Sequence, residues 1–113
     1  MYHSQAMIEN QLNKAEKFLS KKKLTEAKNI YLKVLTIKQD NKIILERLAD
    51  ICIQQNKYDE AVLLYTEGVK LDSTNIDNLK TLAKLLSQQN ETQKAMLYDK
   101  QALALAKTEG LIG

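Results

Sequence analysis

Residues 41–75 read NKIILERLADICIQQNKYDEAVLLYTEGVKLDSTN, and the spacing of their apolar side chains decides the fold. Leu45, Leu48, Ala49 and Cys52 fall at i, i+3, i+4 and i+7, which lays them along one helical face. Tyr58, Ala61, Val62, Tyr65 and Val69 repeat that spacing after the polar turn Gln55-Asn56-Lys57. The chain contains no proline, so neither helix is broken from within. Asp59 places negative charge in the first turn of the second helix, at the positive end of its dipole. Gly68 weakens that helix by roughly 1 kcal/mol relative to alanine, unless close packing needs the missing side chain. Two helices this short cannot bury both apolar faces alone. They must stack on units like themselves.

The rest of the chain supplies those units. Ala27, Ala61 and Ala95 are spaced 34 residues apart, as are Ala15, Ala49 and Ala83. Phe18, Cys52 and Leu86 keep the same step, as do Leu35, Val69 and Leu103, and Ile37, Leu71 and Leu105. The small residues mark where the two helices of a hairpin cross closely, and the large ones where stacked hairpins fill space. Six helices are predicted, over 8–20, 25–38, 42–55, 58–71, 76–87 and 93–107. Thr25 is expected to cap the second, Ser4 the first, and Thr74 with Asp77 to form a capping box on the fifth. Lys21-Lys22-Lys23 reads as a solvated turn.

A helix-turn-helix unit with this period resembles the tetratricopeptide repeat family, whose pattern is W-x2-L-G-x2-Y, then A-x3-F, then A and P. In the middle unit Leu45 stands at the Trp position, Leu48 at the Leu, Ala49 at the Gly and Cys52 at the Tyr. Tyr58, Ala61 and Tyr65 match the second helix. The first unit offers Ala15, Phe18, Leu24, Ala27 and Tyr31, and the third Leu79, Leu82, Ala83, Leu86, Ala95 and Ala102. Lys14 departs from the pattern, and Gln39, Ser73 and Lys107 replace the terminal proline. In the third unit Thr92 and Asp99 stand where large apolar residues are usual. The resemblance implies an all-α, right-handed solenoid in one domain, residues 1–113, with repeats at about 8–41, 42–75 and 76–109.

Composition fits that reading. The 113 residues are 44% hydrophobic and 27% charged, as in an ordinary folded domain, but only 5% aromatic, so the core is aliphatic. No apolar run is long enough to span a membrane, and the first residues have neither the basic start nor the apolar centre of a secretory signal. One cysteine permits no internal disulfide, which fits a reducing compartment, and a cytoplasmic location is expected. The net charge of +3 is uneven. The first unit holds eight basic and four acidic residues, the second four and six, and the third five and four.

Catalysis needs a positioned nucleophile, base or metal. Cys52 lies on the apolar face and reads as a buried, inert thiol. His3 is the only histidine and has no ligand-spaced neighbour, and the glycines at 68, 110 and 113 make no phosphate loop. The chain is read as a non-catalytic interaction module without cofactor or metal.

In the family the first helix of each unit lines a concave groove. Carried over, the groove shows Leu12, Asn13 and Glu16 from unit one, Ile43, Glu46, Arg47, Asp50 and Gln54 from unit two, and Lys80, Thr81, Lys84 and Gln88 from unit three. Glu9, Leu19, Ile53, Asp77 and Ser87 adjoin them. Such a groove is acidic with apolar patches at one end and basic at the other. It suits a protein or peptide with a basic residue near an apolar anchor and an acidic group further along. The family's carboxylate clamp falls on Leu12, Glu16, Arg47, Asp77 and Thr81, of which only Arg47 is basic, so a clamp of that type is not implied.

The competing readings are a homo-oligomer formed through uncapped terminal repeats, a solvated groove with no ligand, and a regulatory segment of a larger enzyme. A nucleic-acid or lipid surface is suggested only by the lysines of unit one. Without neighbouring aromatics for base stacking it is set aside, and neither nucleic acid nor membrane is expected as partner.

Overall fold

The computed structural model describes residues 5–110, and all regular structure among them is helical. The order is α1 (Gln5–Ser20), α2 (Leu24–Ile37), α3 (Lys42–Gln54), α4 (Tyr58–Leu71), α5 (Ile76–Gln88) and α6 (Thr92–Thr108). Each hairpin pairs an odd helix with the even helix that follows, and α2 meets α3 and α4 meets α5 between hairpins. Side chains tie α1 to α3 and α3 to α5, while Lys28 on α2 reaches Glu60 on α4. The molecule is therefore a two-layer stack, odd helices in one layer and even helices in the other. It measures 46 × 28 × 23 Å with a radius of gyration of 15.6 Å. A compact globule of this length would have a radius of about 13 Å, so the stack is elongated.

The alanine columns do what their spacing predicts. Ala15, Ala27, Ala49, Ala61, Ala83 and Ala95 are all buried. One core joins the first hairpin to Ile44, Leu48 and Ile51 of α3. The second joins Ala49, Cys52 and α4 to the third hairpin, and Leu64 packs against both. The column of Ile37, Leu71 and Leu105 is different. Ile37 and Leu71 are exposed at the last turns of their helices, so they do not fill space between hairpins.

The turns inside the hairpins are three copies of one device. Lys22, Asn56 and Asn90 each adopt left-handed backbone, with φ of 61°, 61° and 64°. The next amide closes back on the preceding helix: Lys23 N to Phe18 O at 2.9 Å, Lys57 N to Cys52 O at 2.8 Å and Glu91 N to Leu86 O at 2.9 Å. Lys22, Asn56 and Asn90 donate to Leu19, Ile53 and Ser87 in the same motif, which satisfies the last carbonyls of each first helix.

Two expected caps are corrected. Helix α2 begins at Leu24 with Lys23 at its N-cap and no side-chain cap bond, so Thr25 lies inside the helix. The cap of α5 is Asn75, whose Oδ1 accepts from Asn78 N at 3.0 Å, while Thr74 N and Oγ1 both donate to Asp72. Asn41 caps α3 in the same way, through Ile44 N at 3.1 Å. Asparagine one residue before the helix is the geometry that reaches the free amides, and Thr74 sits one residue too early. Ser4, like His3, lies outside the described residues.

Candidate functional site

The odd-helix layer carries a polar ladder that joins the hairpins. In unit one the Tyr31 hydroxyl donates to Glu16 Oε2, and Arg47 Nε donates to the same oxygen at 3.1 Å. In unit two the Tyr65 hydroxyl donates to Asp50 Oδ1 at 2.8 Å. Both tyrosines follow their carboxylate by 15 residues and stand one repeat apart. Burial pushes each hydroxyl well above its ordinary pKa, and the adjoining carboxylate adds to the effect. Burial opposes the Arg47 charge, but the Glu16 carboxylate outweighs it and raises the guanidinium pKa. In unit three the same two positions hold Lys84 and Asp99, reversed in polarity, and both are exposed.

This ladder changes the charge available to a guest. Glu16 is already bonded to Arg47 and Tyr31. Glu46 Oε1 accepts from Asn78 Nδ2 at 2.6 Å and from Asn75 Nδ2 at 3.5 Å. Asp50 uses one oxygen for Tyr65 and keeps the other. Among the described residues Lys80 and Lys84 make no ion pair or hydrogen bond. At the acidic end expected of the groove only Glu16 is paired with a cation, while Glu46 and Asp50 are held by neutral donors and keep their charge; the lysines of the basic end have no partner among the described residues.

Glu16, Arg47, Asp50 and Gln54 line one cavity of about 220 Å³ together with Leu19, Lys22, Leu24 and Ile51. Its floor is apolar and its rim polar, and it opens between α1 and α3. Ile43 and Glu46 line a second depression with Lys42, Gly68, Asp72, Asn75 and Asn78. Lys80 belongs to a third, with Asp77 and the N-terminal end of α5. Leu12 packs partly into the first core, while Asn13 and Lys84 are exposed and Thr81 is half-buried. Gln88 faces the turn side instead, beside Asn56 to Glu60.

Tyr31, Tyr65, Asn75 and Asn78 were not singled out for the site from the sequence, although all four fix its carboxylates. The signal for the tyrosines was present, a carboxylate and a tyrosine 15 residues apart in two successive repeats. Cys52 is buried, and burial followed by its contact with Glu60 raises its thiol pKa, as expected of an inert thiol. No helix among the described residues is long and apolar enough to cross a membrane.

Solved structures share this architecture. A chain of the CopN-Scc3 complex superposes with a TM-score of 0.82 at 13% identity, over 91% of this chain and 61% of that one. This chain therefore spans less than two thirds of that neighbour. The Yersinia enterocolitica type III secretion chaperone SycD, in complex with a peptide of the translocator YopD, gives a TM-score of 0.80 at 18% identity, covering 93% of this chain and 80% of that one. The second TPR of Spaghetti (RPAP3), bound to the HSP90 peptide SRMEEVD, gives 0.74 at 16% identity, covering 87% and 91%. At these identities the likeness is one of fold. No curated protein matches the sequence. Tetratricopeptide repeat family models match residues 8–41, 44–76 and 79–112, in the register that the alanine columns and left-handed turns follow. The chain belongs to the tetratricopeptide repeat family.

Proposed function

We propose that the chain is a non-catalytic protein-interaction module that holds a peptide or a helix of a partner protein along its odd-helix layer. The observation that carries the reading is the pairing of an apolar-floored cavity between α1 and α3 with two unpaired lysines on α5. Membership in the repeat family supports it, as do the fold neighbours SycD and RPAP3, which hold peptides. The guest places a large apolar side chain on Leu19, Leu24 and Ile51, with a donor toward the free oxygen of Asp50. Its acidic group lies over Lys80 and Lys84. Arg47, the one basic residue at a clamp position, is spent on Glu16, so a terminal-carboxylate clamp is not the mode of capture.

Selection of a displayed random-peptide library on the full chain tests this. Enriched peptides should combine an apolar anchor with acidic residues. The double substitution Lys80→Glu and Lys84→Glu should weaken them by roughly tenfold or more at unchanged helicity. Binding that survives this charge reversal contradicts the reading.

A second reading, self-association through the last repeat, is favoured by one feature. Met96, Leu97 and Leu103 of α6 are about half exposed. Leu103→Lys would dissolve such an oligomer.

A further inference from the structure

The even-helix layer carries a feature that peptide capture on the opposite layer does not use. A cleft of about 240 Å³ opens between α2 and α4, lined by Lys28, Leu32, Leu48, Cys52, Glu60, Leu63 and Leu64. Its walls are almost wholly apolar, and its two rim leucines are open to water, Leu32 at 43% and Leu63 at 68%. At one end Lys28 Nζ pairs with Glu60 Oε2 at 3.4 Å.

The repeat shows how the side chains around this cleft change one unit on. Shifted by 34 residues, Cys52 becomes Leu86 and Leu64 becomes Tyr98, larger side chains that belong to or pack on the second core. Leu32 becomes Thr66, whose hydroxyl bonds to Val62 O at 2.7 Å, and only the second rim leucine is kept, as Leu97. Lys28 and Glu60 become Val62 and Lys94, so the opposed charges are lost too. The two-leucine rim and the opposed charges beside this cleft are therefore not repeated one unit on.

We propose that this cleft is the two-fold interface of a homodimer, occupied by the same cleft of a second copy. The argument is complementarity of the patch with itself, which an isologous interface demands. A two-fold axis along the cleft lays α2 of one copy on α4 of the other at the same level. Leu32 then meets Leu63 of the second copy on both sides of the axis, and Lys28 meets Glu60. The floor of small and aliphatic side chains accepts the paired leucines, and no charge is left without its opposite. Opposite charges on the two helices are what makes the patch fit itself. Two like charges would repel their own image. This surface is distinct from the groove and from the α6 face.

Sedimentation equilibrium of the full chain, from micromolar to sub-millimolar concentration, tests it. The wild type should pass from monomer to dimer. Leu63→Lys should raise the dissociation constant by roughly tenfold or more. Lys28→Glu alone and Glu60→Lys alone should each weaken self-association, because every interface pair becomes like-charged. An equimolar mixture of these two variants should recover a heterodimer, since both pairs across the axis are again opposite. The ion pair inside each chain stays broken in the mixture, so recovery reports the contact between copies. A wild type that remains monomeric overturns the proposal. So does a mixture that behaves as the average of its parts, or a dimer that Leu63→Lys spares and Leu103→Lys dissolves. Circular dichroism of each variant confirms unchanged helicity, and library-selected peptides should still bind Leu63→Lys.

Discussion

Lys22 sits at a φ of 61°, where its Cβ crowds the carbonyl that follows, a strain that glycine escapes. Asn56 and Asn90 stand at the equivalent turns, a residue type that tolerates that region better than lysine, and Asn56 Oδ1 also accepts from the Tyr58 hydroxyl at 2.9 Å. Lys22→Gly is therefore expected to stabilise the chain by about 0.5–1 kcal/mol, read as a higher urea midpoint at unchanged slope. A lower midpoint would mean that the lysine stem contributes more than the strain costs. Asp72 gives a prediction of the opposite kind. Hydrogen bonds from Thr74 and then the Lys42 ammonium, at 3.1 Å, hold its carboxyl down at about 2. A group with a depressed folded pKa stabilises above its unfolded value and loses that contribution as pH falls through the folded one. Stability measured against Asp72→Asn should thus show a wild-type advantage at neutral pH that disappears between about pH 4 and 2. The turn at Lys21-Lys22-Lys23 was legible in the sequence because it interrupts an apolar stripe. Its left-handed residue was not, because lysine carries no signal for that conformation. The caps at Asn41 and Asn75 were missed for a related reason: threonine and asparagine both cap, and only the backbone shows which oxygen reaches the free amide.

Among the helices, α4 carries the one internal glycine of the described stack, and the sequence left its purpose open. A methyl group built on Gly68 meets nothing within 4 Å. Close packing therefore does not require it, and Gly68→Ala should stabilise α4 by roughly 1 kcal/mol. A thermal melt that fails to rise would show that the open space beside Gly68, which borders the depression around Ile43 and Glu46, is closed in solution. Helix positions and hairpin pairing were read well from the sequence, because the spacing of small residues records where two backbones cross. The ionic pattern on the odd helices was read less well. Glu46 and Arg47 look like free groove charges on their own helix, yet Asn78 and Glu16 hold them from the neighbouring ones. Such partners are about thirty residues away, beyond the reach of helical periodicity. Only the comparison of repeats, Glu16 with Tyr31 and Asp50 with Tyr65, could have exposed that ladder.

At the scale of the molecule, the two proposed functions fall on different layers. On the odd helices Glu16 and Glu46 fasten one hairpin to the next and Asp50 fastens its own, and in the proposed reading Lys80 and Lys84 meet the guest. The even helices expose leucines, with a cleft where Cys52 and Leu64 are too small to close it. Peptide capture and self-association, as proposed, occupy opposite faces, and such a dimer leaves both grooves open. Two grooves on one particle would raise the avidity for a partner with two binding segments. The most direct measurement is a nitrogen-edited NMR titration of the full chain with a library-selected peptide. The account predicts shift changes concentrated on α1, α3 and α5, at Leu19, Asp50, Ile51, Lys80 and Lys84. Changes centred on Leu32 and Leu63, or on the exposed side of α6, would contradict it.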